Sequence, residues 1–99
     1  MAINTRVNGS ELIIQIQGRF DFSAHQEFRD AYEKGGPGIS AFIIDMRDTT
    51  YLDSSALGML LLLRDHAGGD SAKVRIANCN NDVRKILTIS NFEQLFKIE

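Results

Sequence analysis

A chain of 99 residues buries one hydrophobic core and not two, so it reads as a single domain over 1–99. Its 43% hydrophobic and 24% charged residues are ordinary for a globular protein, and a net charge of −2 without a basic stripe argues against nucleic acid as a partner. The single cysteine, Cys79, rules out an internal disulfide or a multi-cysteine metal site, and the longest apolar stretch, Ala56 to Leu63, is too short to span a bilayer. Met1 to Arg6 has no apolar core of signal-peptide type, so a soluble, cytoplasmic protein is expected. Ile3, Thr5 and Val7 then alternate, Asn8-Gly9 offers a tight turn, and Leu12, Ile14 and Ile16 alternate with Gln15 and Gln17. This pattern predicts an antiparallel hairpin ending at Gly18. Ser23, with Gln26 three residues on, predicts a capping box for a helix whose stripe is Ala24, Phe28, Ala31 and Tyr32. Gly35-Gly36-Pro37-Gly38 stops that helix.

Ala41-Phe42-Ile43-Ile44 is a continuous apolar run, as expected of a central strand covered on its faces. It ends at Asp45, and Arg47 to Leu52 reads as a loop. A second helix runs from about Ser54 to Ala67 and stops at Gly68-Gly69. Lys73 to Ala77 is a short strand. Asn81 or Asp82 caps a third helix with Val83, Ile86 and Leu87 on its inner stripe, and Leu95 to Ile98 is a last strand-like piece. The order implies an α/β domain with a mixed sheet, an N-terminal hairpin and about three helices. Crossovers of this kind put helix starts near the carboxyl ends of strands, so Asp21 and Ser54 should share one edge.

The junction Asp53-Ser54-Ser55-Ala56-Leu57-Gly58 carries the chemistry. Asp53 is a good N-cap, and Ser54 falls in the first turn, where free N–H groups and the helix dipole favour negative charge. Taken alone, such a serine is first a helix starter and only second a place to hold a phosphate. Ser55 is the alternative acceptor, more naturally bonded to its local backbone. Leu57, Met59, Leu60, Leu61, Leu62 and Leu63 exceed one apolar stripe. Some of Met59, Leu62 and Leu63 should therefore face solvent, a partner or a second copy, unless the helix is buried on two sides.

Other chemistries are less well supplied. A hydrolase using Ser54 with His25 or His66 lacks the G-x-S-x-G elbow. A receiver domain phosphorylated on Asp45 lacks an early acidic pair and a placed lysine. Asp45, Asp48 and Asp53 lie on different local elements, which disfavours a metal site. The glycines at 35, 36 and 38 are not followed by a lysine and a helix start in P-loop order.

Ile43-Ile44-Asp45-Met46-Arg47-Asp48 followed by Thr49-Thr50-Tyr51-Leu52-Asp53-Ser54-Ser55-Ala56-Leu57-Gly58 resembles the STAS domains of bacterial anti-sigma factor antagonists. Gly18-Arg19-Phe20-Asp21 is similar to that family's Gly-x-Leu-Asp element. Val83-Arg84-Lys85-Ile86-Leu87 with Ser90-Asn91-Phe92 is similar to its third helix and the following turn. Tyr51 to Ala67 and Val83 to Phe96 look most like a gammaproteobacterial branch.

The resemblance implies that Ser54 is phosphorylated, with Ser55 as the alternative. It implies a kinase that is the anti-sigma factor itself, of the GHKL ATPase type, and a PP2C-type phosphatase, in this branch joined to a receiver domain. The unphosphorylated chain would bind the anti-sigma factor and free its sigma factor, being no enzyme itself and needing no cofactor or metal. Asp21, Asp53, Ser55, Ala56 and Met59 form the expected partner-contacting set. Ala56 stands where the family has glycine, adding a methyl where a partner backbone approaches. The chain stops at Glu99, where many relatives continue, so their last helix is expected to be missing. A STAS module that binds a nucleotide or serves another signalling partner or a transporter is the alternative, and oligomeric state stays open.

Overall fold

The computed structural model describes residues 2–99; Met1, part of the N-terminal segment read above, lies outside them. Ala2–Asn8 (β1) and Glu11–Phe20 (β2) form the antiparallel hairpin. The ten-residue β2 organises the sheet. Over Glu11 to Gln15 it pairs in parallel with Ala41–Asp45 (β3), and over Gly18 to Phe20 with Thr49–Leu52 (β4). Val74–Ala77 (β5) and Lys97–Ile98 (β6) continue the sheet beyond β3, giving the order β1-β2-β3-β5-β6 with β4 held on the far half of β2. Three α-helices, His25–Glu33 (α1), Ser54–His66 (α2) and Asn81–Ile89 (α3), complete the described fold.

One strand can serve two parallel neighbours because its register shifts between Gly18 and Arg19. Gly18 has φ +82, a conformation that favours glycine at such a bulge. Its N–H donates to the Asp48 carbonyl at 2.9 Å. The next residue, Thr49, is 1% exposed, and its hydroxyl donates to the Ile16 carbonyl at 2.8 Å. The Thr49 carbonyl accepts from Asn80 Nδ2 at 3.0 Å, while Asn80 Oδ1 accepts from the Val83 N–H at 2.8 Å and so caps α3. A single threonine thus ties together β2, β4 and the start of α3.

The core lies on one face of the sheet. Leu12, Ile14 and Ile16 of β2, Phe42 and Ile44 of β3, and Val74 and Ile76 of β5 are buried at every second position. Against them pack Phe28, Ala31 and Tyr32 of α1, the stripe Ala56, Met59, Leu60 and Leu63 of α2, and Val83 and Leu87 of α3. This apolar burial is the main force holding the domain together. The rings of Phe20 and Phe28 meet at 5.0 Å, fastening α1 to the end of β2.

Several expectations are revised. Arg47 to Leu52 is not all loop, since Thr49–Leu52 forms β4 with its two end residues buried. The helical turn at Phe22 is capped by Asp21, not by Ser23; α1 proper begins at His25, and Gln26 bonds Asp30 instead of closing a capping box. Asn80 caps α3, ahead of Asn81 and Asp82. Val7 is exposed although it shares the alternation of Ile3 and Thr5. On α2, the expectation that some of Met59, Leu62 and Leu63 face outward holds for Leu62, exposed together with Leu61, whereas Met59 and Leu63 are buried on the stripe spaced from Ala56. The last strand is shorter than Leu95 to Ile98, with a 3-10 turn over Phe92–Gln94 before it.

Candidate functional site

The parallel register places Phe20 opposite Leu52, so Asp21 and Asp53 leave the sheet side by side. Each aspartate starts a helical turn in the same way. Asp21 Oδ1 accepts from the Ser23 N–H at 3.0 Å and from the Ser23 hydroxyl at 2.5 Å. Asp53 Oδ1 accepts from the Ala56 N–H at 3.0 Å and from the Ser55 hydroxyl at 2.6 Å. Both residues have extended backbones, as an N-cap requires. The sequence Asp-x-Ser therefore occurs twice at one edge, as Asp21-Phe22-Ser23 and Asp53-Ser54-Ser55, with the last serine tied back each time.

The middle residues project. Ser54 is exposed, and its hydroxyl makes no hydrogen bond among the described residues. Ser55 is half-buried with its hydroxyl committed to Asp53. Of the two candidate acceptors, Ser54 is the one free to meet another molecule. The matching position in the first turn holds Phe22, 68% exposed, with its ring stacked on His25 at 5.3 Å.

Both aspartates are ionised at neutral pH. The Ser23 hydroxyl and then its N–H hold the Asp21 carboxyl below its ordinary value; Arg19 helps, while burial and the neighbouring charge of Asp53 oppose. The Ser55 hydroxyl and then the Ala56 N–H do the same for Asp53. Arg19 sits over the Tyr51 ring, its guanidinium carbon 4.4 Å from the centroid, with Nε 3.7 Å from Asp21 Oδ2. The edge thus carries two carboxylates, one loosely held cation and a free hydroxyl at the positive end of a 13-residue helix.

The other expected contact residues divide. Asp21 and Asp53 are partly accessible beside Ser54. Ala56 and Met59 are not surface residues: they are 0% and 3% exposed, because they lie on the inner stripe of α2. The Ala56 methyl fills core and adds nothing to the edge. Arg19, Tyr51 and Phe22 belong to the site without having been singled out as contacts. The signal for Arg19 was present, since strand alternation sets it on the same side of β2 as Asp21. Tyr51 becomes its cross-strand neighbour only once β4 is known.

The remaining polar candidates have local roles. Asp45 Oδ1 accepts from the Arg47 N–H and from Asn78 Nδ2, each at 3.0 Å, and Asp48 accepts from Gln15 Nε2 at 3.3 Å. His66 packs on the rings of Tyr32 and Phe42. Burial pushes the half-buried Cys79 thiol up from its ordinary value, the opposite of what a nucleophile needs. Among the described residues, no helix is long and apolar enough to cross a membrane.

The chain is 68% identical over 91 residues to a STAS-domain containing protein of Pseudomonas aeruginosa (strain UCBPP-PA14), covering 92% of this chain and 90% of that protein. Its fold is similar to the structure of the anti-sigma factor antagonist SpoIIAA in its unphosphorylated form, with a TM-score of 0.77, 17% identity, and 99% of this chain and 87% of that one covered. The phosphorylated form of SpoIIAA, a Bacillus cell fate determinant, matches at 0.68 with 16% identity, over 99% and 91% of the two chains. A sulfate transporter family protein from Wolinella succinogenes shares the fold as well, at 0.78 and 17%, over 94% and 79%. At such identities the solved structures speak for the fold and not for the partner. The STAS domain model itself matches residues 2–99, which take in the whole sheet and the doubled Asp-x-Ser edge, and the chain belongs to the STAS domain family.

Proposed function

We propose that this chain is an anti-sigma factor antagonist that works in the cytoplasm as a serine-phosphorylated interaction switch. The observation that carries the reading is the free Ser54 hydroxyl at the start of α2, between an aspartate cap and a serine whose own hydroxyl is engaged. The likeness to SpoIIAA, whose structure is known in unphosphorylated and phosphorylated forms, supports it. In the proposed cycle the unphosphorylated chain binds an anti-sigma factor that is also a GHKL-type serine kinase, and the sigma factor is released. The kinase then transfers a phosphoryl group. Ser54 Oγ attacks the γ-phosphorus of ATP, the bond to the bridging oxygen of ADP breaks, and the hydroxyl proton passes to a base on the kinase. A PP2C-type phosphatase hydrolyses the ester and returns the hydroxyl.

The electrostatics set the direction of the switch. Phosphoserine brings about −1.5 to −2 charges near neutral pH. Within the chain, the helix start favours it by roughly 0.3–1 kcal/mol, so the fold accommodates it locally. Across an interface the scale is larger. A negative group of the partner about 4 Å away, such as the phosphates of the ADP just formed, repels each unit of charge by up to roughly 4 kcal/mol at an effective dielectric of 20. Before screening by salt, that corresponds to up to about a thousandfold in affinity. The affinity change needs no rearrangement of the sheet.

A second reading, a STAS module serving a different signalling partner or a transporter, draws on the shared fold of the sulfate transporter family protein. Co-purification from the native cell with wild-type, Ser54→Ala and Ser54→Asp baits separates the two. The switch predicts one interactor, identified by mass spectrometry as an ATP-binding kinase, kept by the first two baits and lost with aspartate. Incubation of that interactor with ATP should place phosphate on Ser54 and none on the Ser54→Ala chain. Phosphate on another residue, or equal capture by all three baits, would refute the reading.

A further inference from the structure

Among the described residues, Arg19 is the one cation with a side-chain contact to the acidic edge, and its contacts are weak. The guanidinium approaches Asp21 through Nε at 3.7 Å, beyond hydrogen-bonding distance, and lies over the ring of Tyr51, a residue that is 39% exposed. Its own side chain is 65% exposed. Asp21 does not depend on it, because the Ser23 hydroxyl and N–H already satisfy one carboxylate oxygen. Releasing Arg19 therefore strands no buried group.

We propose that Arg19 is the residue that captures the phosphate monoester on Ser54, leaving Asp21 and the Tyr51 face to do so. The inference rests on the reading of Ser54 as the phosphorylated residue. Two independent features aim the guanidinium there. Arg19 pairs with Tyr51 across β2 and β4, and Phe20 with Leu52, so the next position along each strand is Asp21 and Asp53, with Ser54 following at once. The side chain already leans forward along this direction, since Asp21 lies two residues, or about 6.6 Å of strand, ahead of it. The second feature is charge. A phosphate of about −1.5 to −2 beside the ionised Asp21 and Asp53 leaves Arg19 facing the densest negative charge on this edge. Its planar fork fits phosphate oxygens bidentately, which the single contact to Asp21 does not use.

The consequence is a latch. In the unphosphorylated chain Arg19 rests on the edge and leaves the Ser54 hydroxyl clear. In the phosphorylated chain it pins the phosphate in one orientation and screens it from Asp21 and Asp53, so the tag is held on this surface instead of swinging free.

The test needs no kinase. Phosphoserine is incorporated at 54 during synthesis, and the phosphorus resonance is titrated by NMR in wild type, Arg19→Ala and Arg19→Lys. The titratable groups of this edge, the Asp21 and Asp53 carboxylates and the His25 ring stacked on Phe22, are unchanged in all three. An exposed ion pair of ordinary strength predicts that the second ionisation of the phosphate rises by roughly 0.2–0.7 pH units in Arg19→Ala. Arg19→Lys should lie between, and the wild-type Arg19 Nε–H resonance should move with the same midpoint as the phosphorus signal. Equal midpoints in wild type and Arg19→Ala, or an Arg19 Nε–H that ignores the titration, would overturn the latch. Because the phosphate is installed chemically, that failure leaves the Ser54 reading standing. Absence of kinase labelling at Ser54 would remove that reading whatever Arg19 does.

Discussion

Replacing Thr49 by valine removes one hydroxyl and changes almost nothing else, which makes it a direct probe of how the two aspartates come together. The hydroxyl donates to the Ile16 carbonyl at 2.8 Å from a residue that is 1% exposed. Valine keeps the shape, so no cavity forms, but the buried acceptor loses its donor. Such a loss costs about 1–3 kcal/mol, against about 0.5–1.5 kcal/mol for an average hydrogen bond replaced by water. In a domain of this size each kcal/mol lowers the melting midpoint by roughly 4–8 °C. Urea unfolding followed by circular dichroism should give an unchanged slope and an earlier midpoint. Hydrogen exchange adds a local readout. The Gly18 N–H, bonded to the Asp48 carbonyl next to Thr49, should exchange faster in the variant. If Thr49→Val stays within about 0.5 kcal/mol of wild type, the scale of a neutral surface change, and Gly18 exchange is unaltered, then Thr49 does not pin β4 to β2. The juxtaposition of Asp21 and Asp53 would then rest on backbone pairing alone.

Two further outcomes test the core and the caps. Leu63→Ala, at a fully buried site, should cost about 2–5 kcal/mol, whereas Leu62→Ala, half exposed one residue earlier, should stay within about 0.5 kcal/mol; equal costs in urea titrations would contradict the orientation of α2. Asp21 and Asp53 titrate below the ordinary aspartate value of 3.8 in the folded chain, so the stability they add is present above that value and disappears as pH falls through it toward the folded values. Melting midpoints from pH 6 to about pH 3 should therefore fall less steeply in Asp53→Asn than in wild type, because asparagine still caps the helix but does not titrate. Identical slopes would show that the Ser55 and Ala56 hydrogen bonds do not stabilise the ionised form.

The elements that could be read from the chain are those in which polar and apolar residues contrast. Leu12, Ile14 and Ile16 alternate with polar neighbours, and Phe28, Ala31 and Tyr32 repeat at helical spacing, so both faces were legible and both are buried. On α2 the contrast vanishes. Leucines occupy 60 to 63 without a break, and only packing against the sheet decides that Leu60 and Leu63 turn inward while Leu61 and Leu62 turn out. β4 was hidden for another reason. Its four residues are buried at the two ends and exposed between, which no alternation describes, and it pairs with the end of β2, from Gly18 to Phe20, across a register shift. Caps were displaced by one or two residues where side chains of similar capping power stand close together, as in Asp21-Phe22-Ser23 and Asn80-Asn81-Asp82.

The hidden strand is also what makes the edge a site. A loop from Arg47 to Leu52 would bring Ser54 somewhere near the end of a neighbouring strand, with no fixed relation to Asp21. A parallel strand in register with β2 sets Tyr51 beside Arg19, Leu52 beside Phe20, and hence Asp53 beside Asp21. The two caps then tie back the hydroxyls of Ser23 and Ser55 through the same geometry, and the residue between cap and serine is exposed in each turn. One projecting residue is an aromatic ring and the other a hydroxyl. On the proposed reading this division has a physical use: Phe22 offers a partner apolar area that phosphorylation leaves alone, while Ser54 offers the atom whose charge changes. Affinity from an unchanging patch and repulsion from a changing one can be combined without moving the backbone, because both turns are anchored by hydrogen bonds that phosphorylation of Ser54 does not touch.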